Sequence, residues 1–364
     1  MASLAVLISP PGKGALAVVH VAGPGSAALV ERLFGRRPDG RPRVGALADR
    51  GERLDEVVVR TVDGFTGEET VEITCHGGPA VVDRLFEALE RAGAPRTGVE
   101  ELLERGVETG ALDRIRAEAW SLLPRAATEL AALVLRDQAN GALSAAVSAM
   151  SAPRDAERLL ATAPLGTALA RPRRIVLAGS PNVGKSTLFN ALVREDRALV
   201  SPVAGTTRDP VRELIAVDQV PFELVDTAGV DEPRDLLGQL SVERTHRALR
   251  EADAVLFVFD AEAGAQGPEM RFLEALGHRR TILVVNKIDA GAKKPLLDAL
   301  PVSARTGQGL DALRRRLLRS LGIVPRPAAG EAAVFTERQE RILARAASGV
   351  LPLEAARVEL FRDV

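Results

Sequence analysis

A glycine-rich segment that carries a lysine and a hydroxyl group, GSPNVGKS, occupies residues 179–186. It follows the strand-like run Ile175–Ala178 and precedes the apolar helical run Thr187–Val193, which is the order that a phosphate-binding loop requires. Glycines let the backbone wrap a phosphate, so that consecutive N–H groups and the helix N-terminus face its negative charge. The pattern therefore predicts that Lys185 reaches the β- and γ-phosphates of a nucleotide and that the Ser186 hydroxyl binds Mg²⁺.

Two later motifs have the chemistry to recognise a guanine base. The sequence NKID at residues 286–289 follows the strand-like run Ile282–Val285, and SAR occupies residues 303–305. The Asp289 carboxylate can accept the N1 and exocyclic amino protons of guanine, a pair of donors that adenine lacks, so a buried and unpaired carboxylate would penalise adenine. The SAR segment is predicted to direct a backbone N–H at guanine O6. These motifs favour GTP and GDP over ATP.

Two segments between these motifs have residues that can respond to the γ-phosphate. GTTRD at residues 205–209 can place Thr207 on Mg²⁺ and the γ-phosphate, and DTAG at residues 226–229 ends a strand with a metal-directed carboxylate and a γ-phosphate-sensing glycine. Lys185 and Thr207 are the predicted catalytic residues, and Ser186 and Thr207 are the predicted Mg²⁺ ligands. The residues predicted to contact the nucleotide are Asn182, Val183, Gly184, Lys185, Ser186, Thr187, Ser201, Thr206, Thr207, Asp226, Thr227, Ala228, Gly229, Asn286, Lys287, Asp289, Ser303, Ala304 and Arg305.

The elements that must position these motifs change in character along the chain. Residues 1–95 contain β-branched runs between Gly and Pro clusters and one helical pattern at Pro79–Ala92, which predicts a small α+β domain. Residues 96–171 are rich in Ala, Leu, Glu and Arg and predict helices. Residues 172–322 alternate apolar runs with helical stretches, the pattern of a mainly parallel α/β sheet. Residues 323–364 are a Pro-bearing linker followed by helix-prone sequence.

Composition limits the classes of protein that the chain can be. The formal net charge of −1 argues against a surface coated in basic residues for non-specific nucleic-acid binding. Cys75 is the only cysteine, so an intramolecular disulfide is impossible. Neither a signal peptide nor a run of about 18 apolar residues is found. We therefore expect a cytoplasmic protein with no membrane segment.

Several details resemble the MnmE (TrmE) family of tRNA-modification GTPases. They are Asn182 inside the phosphate loop, AGTTRD at residues 204–209, Val230 after DTAG, and the N-terminal segments ISPPGKGALAVVHVAGP and FTGEETVEITCHGGP. The resemblance implies an N-terminal α+β domain that forms a homodimer and binds formyl-tetrahydrofolate, and a helical domain split by an α/β P-loop (Ras-like) G domain. It also implies an FAD-dependent partner of the MnmG type and a role in modifying the wobble uridine of tRNA.

The same resemblance implies that GTP hydrolysis is stimulated by K⁺ when the G domains dimerise. Matched by motif, the K⁺ ligands are Asn182, Ser201, Val203 and Thr206. A cation there would neutralise charge between the β- and γ-phosphates, where other GTPases use an arginine finger. Asn182 could instead serve only as a turn residue.

The chain departs from the family pattern at several positions. Gly238 stands where the family has a glutamate that orients water, and Glu232 or Asp235 could substitute for it. Among the folate contacts only Glu72 is retained, because His20 occupies the arginine position and the lysine has no counterpart within residues 110–113. The family's C-terminal Cys-x-Gly-Lys ending is also absent.

Two further groups of residues allow alternative interpretations. Cys75 and His76 are adjacent, but together they supply fewer than the three or four ligands that zinc requires. The basic run at residues 314–319 could touch tRNA phosphates or form the solvated side of a helix.

Two hypotheses about function therefore stay open at this stage. In the first, the chain is a K⁺-stimulated, MnmE-type GTPase that supports tRNA modification. In the second, it is a diverged, nucleotide-switched binding protein that hydrolyses GTP slowly and carries out no modification chemistry.

Overall fold

The computed structural model describes residues 2–196, 211–226, 248–263, 270, 273–274, 280–291, 298–324 and 329–362, with only the backbone of Glu195 and Val211. The chain forms two compact units. One comprises Met1–Ser121 together with Arg357–Val364, and the other comprises Leu122–Ala356. The four domain segments predicted from the sequence stay a prediction. The first compact unit extends beyond residue 95, where the first predicted segment ends.

The first unit contains a six-stranded sheet in the order β3-β4-β5-β2-β1-β6. Its neighbouring strands are antiparallel except for the parallel pair β1 and β6. The predicted helix at Pro79–Ala92 is confirmed with those bounds as α2. The elements are β1 Leu4–Leu7, β2 Leu16–Ala22, α1 Ser26–Phe34, β3 Arg43–Asp49, β4 Glu52–Asp63, β5 Glu69–His76, α2 Pro79–Ala92, β6 Arg96–Thr97, α3 Val99–Thr109 and α4 Arg114–Leu122.

The alternation of side chains along these strands separates a core face from a polar face. Val19, Val59 and Ile73 point into a core that also takes the buried side of α2. On the opposite face, strand register sets Glu72 between His20 and Arg60. The position of Glu72 is therefore fixed by the pairing of three strands.

The second unit contains a six-stranded sheet in the order β12-β11-β10-β7-β9-β8, which is parallel apart from the antiparallel pair β8 and β9. The parallel α/β sheet predicted for residues 172–322 is thus present in the described residues. Its elements are β7 Arg173–Ala178, α9 Lys185–Asp196, β8 Val211–Val217, β9 Val220–Asp226, β10 Ala254–Asp260, β11 Thr281–Asn286, a 3₁₀ turn Ile288–Ala290, β12 Leu300–Pro301 and α10 Leu310–Ser320.

Both faces of this sheet are buried, as a parallel sheet requires. Leu256 and Val258 of β10 contribute to one apolar cluster, whereas Phe257 and Phe259 contribute to the other. The polar residues that follow the strands therefore collect at the carboxyl edge of the sheet, where open α/β sheets bind ligands.

Helices precede and follow this sheet in the same unit. They are a 3₁₀ turn Leu123–Arg125, α5 Glu129–Ala139, α6 Ala142–Ser148, α7 Pro153–Leu160, α8 Ala163–Ala170, α11 Glu337–Ala347 and α12 Leu353–Phe361, whose last residues belong to the first unit. The buried Gln138 side chain donates to Glu331 O at 3.1 Å and accepts from Ala333 N at 3.1 Å. Thr162 Oγ1 accepts from Val334 N at 2.9 Å. These bonds join segments that lie on either side of the sheet in sequence.

Over the described ranges, we find no helix with both the length and the apolar character needed to cross a membrane.

Candidate functional site

The phosphate loop connects β7 to α9 through backbone conformations that favour glycine. Gly179 has φ 141° and Gly184 has φ 93°. A Cβ added at Gly179 would overlap Val258 O, and one added at Gly184 would overlap Asn286 Nδ2. The glycines therefore let the loop approach β10 and the NKID motif closely.

The NKID side chains hold the carbonyl groups of this loop. Asn286 is 2 % exposed, and its Nδ2 donates to Val183 O at 3.0 Å. Lys287 Nζ donates to Asn182 O at 2.6 Å. Because a trans peptide directs its N–H away from its C=O, holding these two carbonyls turns the N–H groups of Val183 and Gly184 to the opposite side. Such backbone N–H groups are the donors that a bound phosphate requires.

The start of α9 and the end of β9 supply the remaining polar groups. Lys185 Nζ donates to Gly179 O at 2.9 Å and Ser180 O at 2.8 Å. Ser186 and Thr187 are exposed in the first turn of α9. Asp226 ends β9 and is paired in register with Leu177, the penultimate residue of β7.

These groups fit a nucleotide with Mg²⁺. The hydroxyl and carboxylate oxygens of Ser186 and Asp226 are the donor type that Mg²⁺ prefers. Because Gly179 and Gly184 have no Cβ, the loop packs directly against Val258 O and the Asn286 amide, which hold it in its wrapped conformation. Lys185, with its ammonium held on loop carbonyls, adds the positive charge that phosphates require.

The base-recognition motif is pre-ordered by contacts between NKID and SAR. Asp289 Oδ1 accepts from the buried Ser303 Oγ at 2.6 Å, and the exposed Arg305 guanidinium pairs with Oδ2. The Ser303 hydrogen bond is the main cause that lowers the pKa of Asp289, with a smaller contribution from the Arg305 charge. Asp289 is therefore ionised at neutral pH and ready to accept two hydrogen bonds from a base.

One backbone N–H of the SAR segment, that of Ala304, is engaged within the protein. It donates to Asn286 Oδ1 at 3.0 Å, so that both ends of the Asn286 amide are engaged. Contact between this segment and guanine O6 stays a prediction.

Many predicted contacts to the γ-phosphate, Mg²⁺ and K⁺ lie outside the described residues. Among the K⁺ ligands, only Asn182 is described, and it has φ 64°. This left-handed conformation is one that asparagine tolerates, which suits a turn residue and a ligand equally. The predicted positions outside the described residues are Ser201, Val203, Thr206, Thr207, Thr227, Ala228, Gly229, Val230, Glu232, Asp235 and Gly238.

One residue at this site was not singled out from the sequence. Asp260 ends β10, and its Oδ2 lies 2.7 Å from Lys287 Nζ. Burial acts to raise the pKa of Asp260, but the Lys287 ammonium and two backbone N–H groups outweigh it and lower the pKa. The available signal was an acidic residue directly after a fully apolar strand, AVLFVF.

Substituting Gly184 with alanine should disrupt this arrangement. The new Cβ would displace the Asn286 amide from Val183 O, and the backbone at φ 93° would be strained by about 1–3 kcal/mol. We expect Gly184→Ala to weaken GDP binding by about 5- to 150-fold, the factor that corresponds to a loss of about 1–3 kcal/mol. Titration with a fluorescent GDP measures it. Gly291→Ala is the matched control, since Gly291 has φ 99° but no atom within contact distance of its added Cβ. Equal losses in the two variants would contradict the role of the Asn286 contact.

The Glu72 carboxylate in the first unit is already engaged on both oxygens. Oε1 accepts from Arg60 Nε at 2.7 Å, and Oε2 lies 3.3 Å from His20 Nε2. Burial acts to raise the pKa of Glu72, but Arg60 and His20 outweigh it and lower the pKa. Arg60 was also not singled out from the sequence. Both oxygens of Glu72 are therefore held by partners within the first unit, and its contact with formyl-tetrahydrofolate stays a prediction.

His20 should make the stability of the chain depend on pH. Burial lowers the pKa of His20 more than Glu72 raises it. As the pH falls below about 6.5, the unfolded imidazole binds a proton before the folded one does, so stability decreases. We expect the melting temperature to fall between pH 7.5 and 5.5, and to fall less in His20→Gln. Thermal unfolding across this range checks it. Above pH 7.5, the melting temperatures of the unsubstituted chain and of His20→Gln should change with pH in parallel. If they also change in parallel below pH 7.5, the pH dependence does not come from His20.

Two alternative sites raised by the sequence receive no support from the described residues. Burial raises the pKa of the Cys75 thiol to about 11, and the neighbouring His76 Nδ1 is 2.7 Å from Asp55 Oδ1. The described part of the chain holds no group of three or more metal-ligating side chains. In the basic run, Arg314 is paired with Asp196 and Asp311, whereas the other three arginines of α10 are exposed.

Two family models match this chain, one over its N-terminal part and one over the part that contains the candidate site. A family model described as GTP-binding protein TrmE N-terminus matches residues 3–105, and one described as 50S ribosome-binding GTPase matches residues 174–287. The tRNA modification GTPase MnmE of Aquifex aeolicus (strain VF5) is 33% identical, over 88% of this chain and 82% of that protein. The MnmE proteins of Roseiflexus castenholzii (strain DSM 13941 / HLO8) and Bordetella petrii (strain ATCC BAA-461 / DSM 12804 / CCUG 43448) are each 34% identical, over 95% and 99% of this chain and 88% and 89% of theirs. The chain belongs to the MnmE family of tRNA modification GTPases.

Proposed function

We propose that this chain acts in the cytoplasm as a K⁺-stimulated GTPase that supports modification of the wobble uridine of tRNA. The observation that carries the nucleotide part is the connection between phosphate loop and base motif. Asn286 and Lys287 hold loop carbonyls, while the ionised Asp289 of the same motif is held by Ser303. Family membership carries the tRNA part.

Each described residue of the site has a defined task under this proposal. The backbone N–H groups of the loop and Lys185 bind the phosphates, and Asp289 accepts hydrogen bonds from the guanine N–H groups. Mg²⁺, when bound, neutralises charge on the β- and γ-phosphates, with Ser186 and Thr207 as its proposed ligands. For K⁺, Asn182, Ser201, Val203 and Thr206 are the proposed ligands. Thr207 is also a proposed catalytic residue.

The proposal includes the domain arrangement and partners implied by the family. The helices before and after the G domain would form one helical domain that the G domain interrupts. The bonds from Gln138 to the segment Glu331–Ala333 and from Thr162 to Val334 support this arrangement. The proposed partners are a second copy of the chain, an MnmG-like FAD protein and tRNA.

A salt-dependent hydrolysis assay tests the nucleotide chemistry. We expect GTP turnover in KCl to exceed turnover in NaCl at equal ionic strength, and Asn182→Ala to remove the difference. Equal turnover in the two salts would contradict the K⁺ site. The tRNA role is tested separately, by comparing modified wobble uridine in tRNA from cells with and without the gene. An unchanged nucleoside content would refute it.

A second candidate function has specific observations in its favour. Gly238 has no side chain with which to orient water, and Glu72 is paired within the first unit. Both suit a nucleotide-switched binding protein that hydrolyses slowly and carries out no modification chemistry. Turnover that stays slow in KCl, together with tight GTP binding, would favour this candidate over the first.

A further inference from the structure

Asp260 has an acceptor geometry that its surroundings fix. It is the last residue of β10, and its side chain is 19% exposed. Oδ1 accepts from the backbone N–H groups of Glu262 at 2.8 Å and Ala263 at 3.4 Å. Asp260 also lies opposite Asn286 in the pairing of β10 with β11. The turn therefore aims Oδ2 at the NKID motif.

The Lys287 ammonium donates to Asp260 Oδ2 and also to a second acceptor, a backbone carbonyl. Lys287 Nζ lies 2.7 Å from Asp260 Oδ2 and 2.6 Å from Asn182 O. A lysine side chain is flexible, and one carbonyl is a weak restraint on it. The charged acceptor supplies the stronger of its two bonds. Asp260 thus determines where Lys287 presents its N–H groups to the loop.

The second acceptor of Lys287, Asn182 O, belongs to the phosphate loop. Asn182 holds a left-handed backbone with φ 64°, and the next carbonyl, Val183 O, is bound by Asn286. Fixing Asn182 O orients the Val183 N–H and the Cα of Asn182 together. Lys287 itself has φ 67°, a conformation that requires support from its neighbours.

We propose that Asp260 is a positioning residue for nucleotide retention, acting through Lys287 on the phosphate loop at Asn182. This inference rests on the proposed nucleotide site and extends it to a residue outside the recognised motifs. Asp260 does not touch the nucleotide. It holds the lysine that holds the loop.

The test measures release of N-methylanthraniloyl-GDP from the full-length chain, chased with excess GDP. Asp260→Asn keeps an Oδ1 acceptor for the turn but loses the charge. We expect it to release the nucleotide roughly 3- to 10-fold faster, the effect of losing one partly exposed charge-assisted bond. Asp253→Asn is the matched control, because Asp253 precedes the same strand and pairs with Arg173 at 3.3 Å. It should release at the unsubstituted rate.

A double-mutant cycle separates positioning from a general structural role. Lys287→Met should accelerate release by itself, and adding Asp260→Asn to it should cause no further acceleration. Asp260→Glu, which keeps the charge, should release more slowly than Asp260→Asn. The proposal is overturned if Asp260→Asn releases at the unsubstituted rate, or accelerates release equally with and without Lys287.

The outcomes also distinguish this inference from the proposed function. If the unsubstituted chain fails to bind N-methylanthraniloyl-GDP, the nucleotide site itself is refuted. If it binds and every Asp260 variant releases the nucleotide at the unsubstituted rate, only the role of Asp260 is refuted. Circular dichroism of each nucleotide-free variant establishes that the compared proteins are folded.

Discussion

Replacing Asp289 with alanine should weaken GTP binding by about 10²–10⁴-fold, the largest binding loss expected from a single side chain of this site. The carboxylate can accept two hydrogen bonds from guanine, and each charge-assisted bond contributes about 1.5–3 kcal/mol. Ser303 and Arg305 hold Asp289 ionised before any base arrives, so little is lost in ordering it. Competition against a fluorescent GDP measures the affinity.

Asparagine at the same position gives a sharper test of base recognition. Xanthine keeps the N1 proton but carries a carbonyl oxygen where guanine carries an amino group. The amide of Asp289→Asn can accept the first and donate to the second. We therefore expect this variant to lose affinity for GTP and gain affinity for xanthosine triphosphate. Asp311→Asn on α10 is the control, because Asp311 is 80% exposed and pairs with Arg314. Equal losses for both nucleotides in Asp289→Asn would exclude direct contact with the base.

The part of the site that could be predicted from sequence is the part encoded in consecutive residues. Gly184 and Asn286 belong to motifs whose spacing reflects a backbone that must pass close to a ligand or to another loop. The structure brings the two together, because a Cβ at Gly184 would overlap the Asn286 amide. Similarly, α2 could be predicted because apolar residues such as Val82, Leu85 and Leu89 recur on one face, which the structure buries. Local sequence was sufficient in both cases.

The residues that were missed depend on strand register, which local sequence does not encode. Arg60 meets Glu72 because β4 and β5 pair in one register, and a shift by one residue would turn Arg60 to the other face. Asp260 meets Lys287 because β10 and β11 are adjacent and end together. Neither partner is close in sequence. Opposite charges at the ends of neighbouring strands become informative only after the strand order is known.

The basic run on α10 illustrates the converse error that sequence patterns permit. Arg314 stands in a row of arginines that could bind phosphate, yet its Nε donates to Asp196 Oδ2 at 2.8 Å. The partner lies 118 positions away. A run of like charges therefore overstates the charge that is available to a partner molecule, because tertiary contacts neutralise some of its members.

Replacing Lys185 with methionine should lower GTP turnover at saturating GTP and KCl by about 10²–10³-fold, because its charge stabilises the phosphate oxygens as the bond breaks. Methionine keeps the length of the side chain but has no N–H group. The hydrogen bonds from Lys185 to Gly179 O and Ser180 O are therefore lost, which also loosens the loop. We therefore expect GDP release to accelerate as well. Lys13→Met is the matched control, since Lys13 is an exposed lysine of the first unit. Turnover in Lys185→Met within threefold of the Lys13→Met value would show that phosphate transfer does not depend on this ammonium, and would remove the central catalytic assignment.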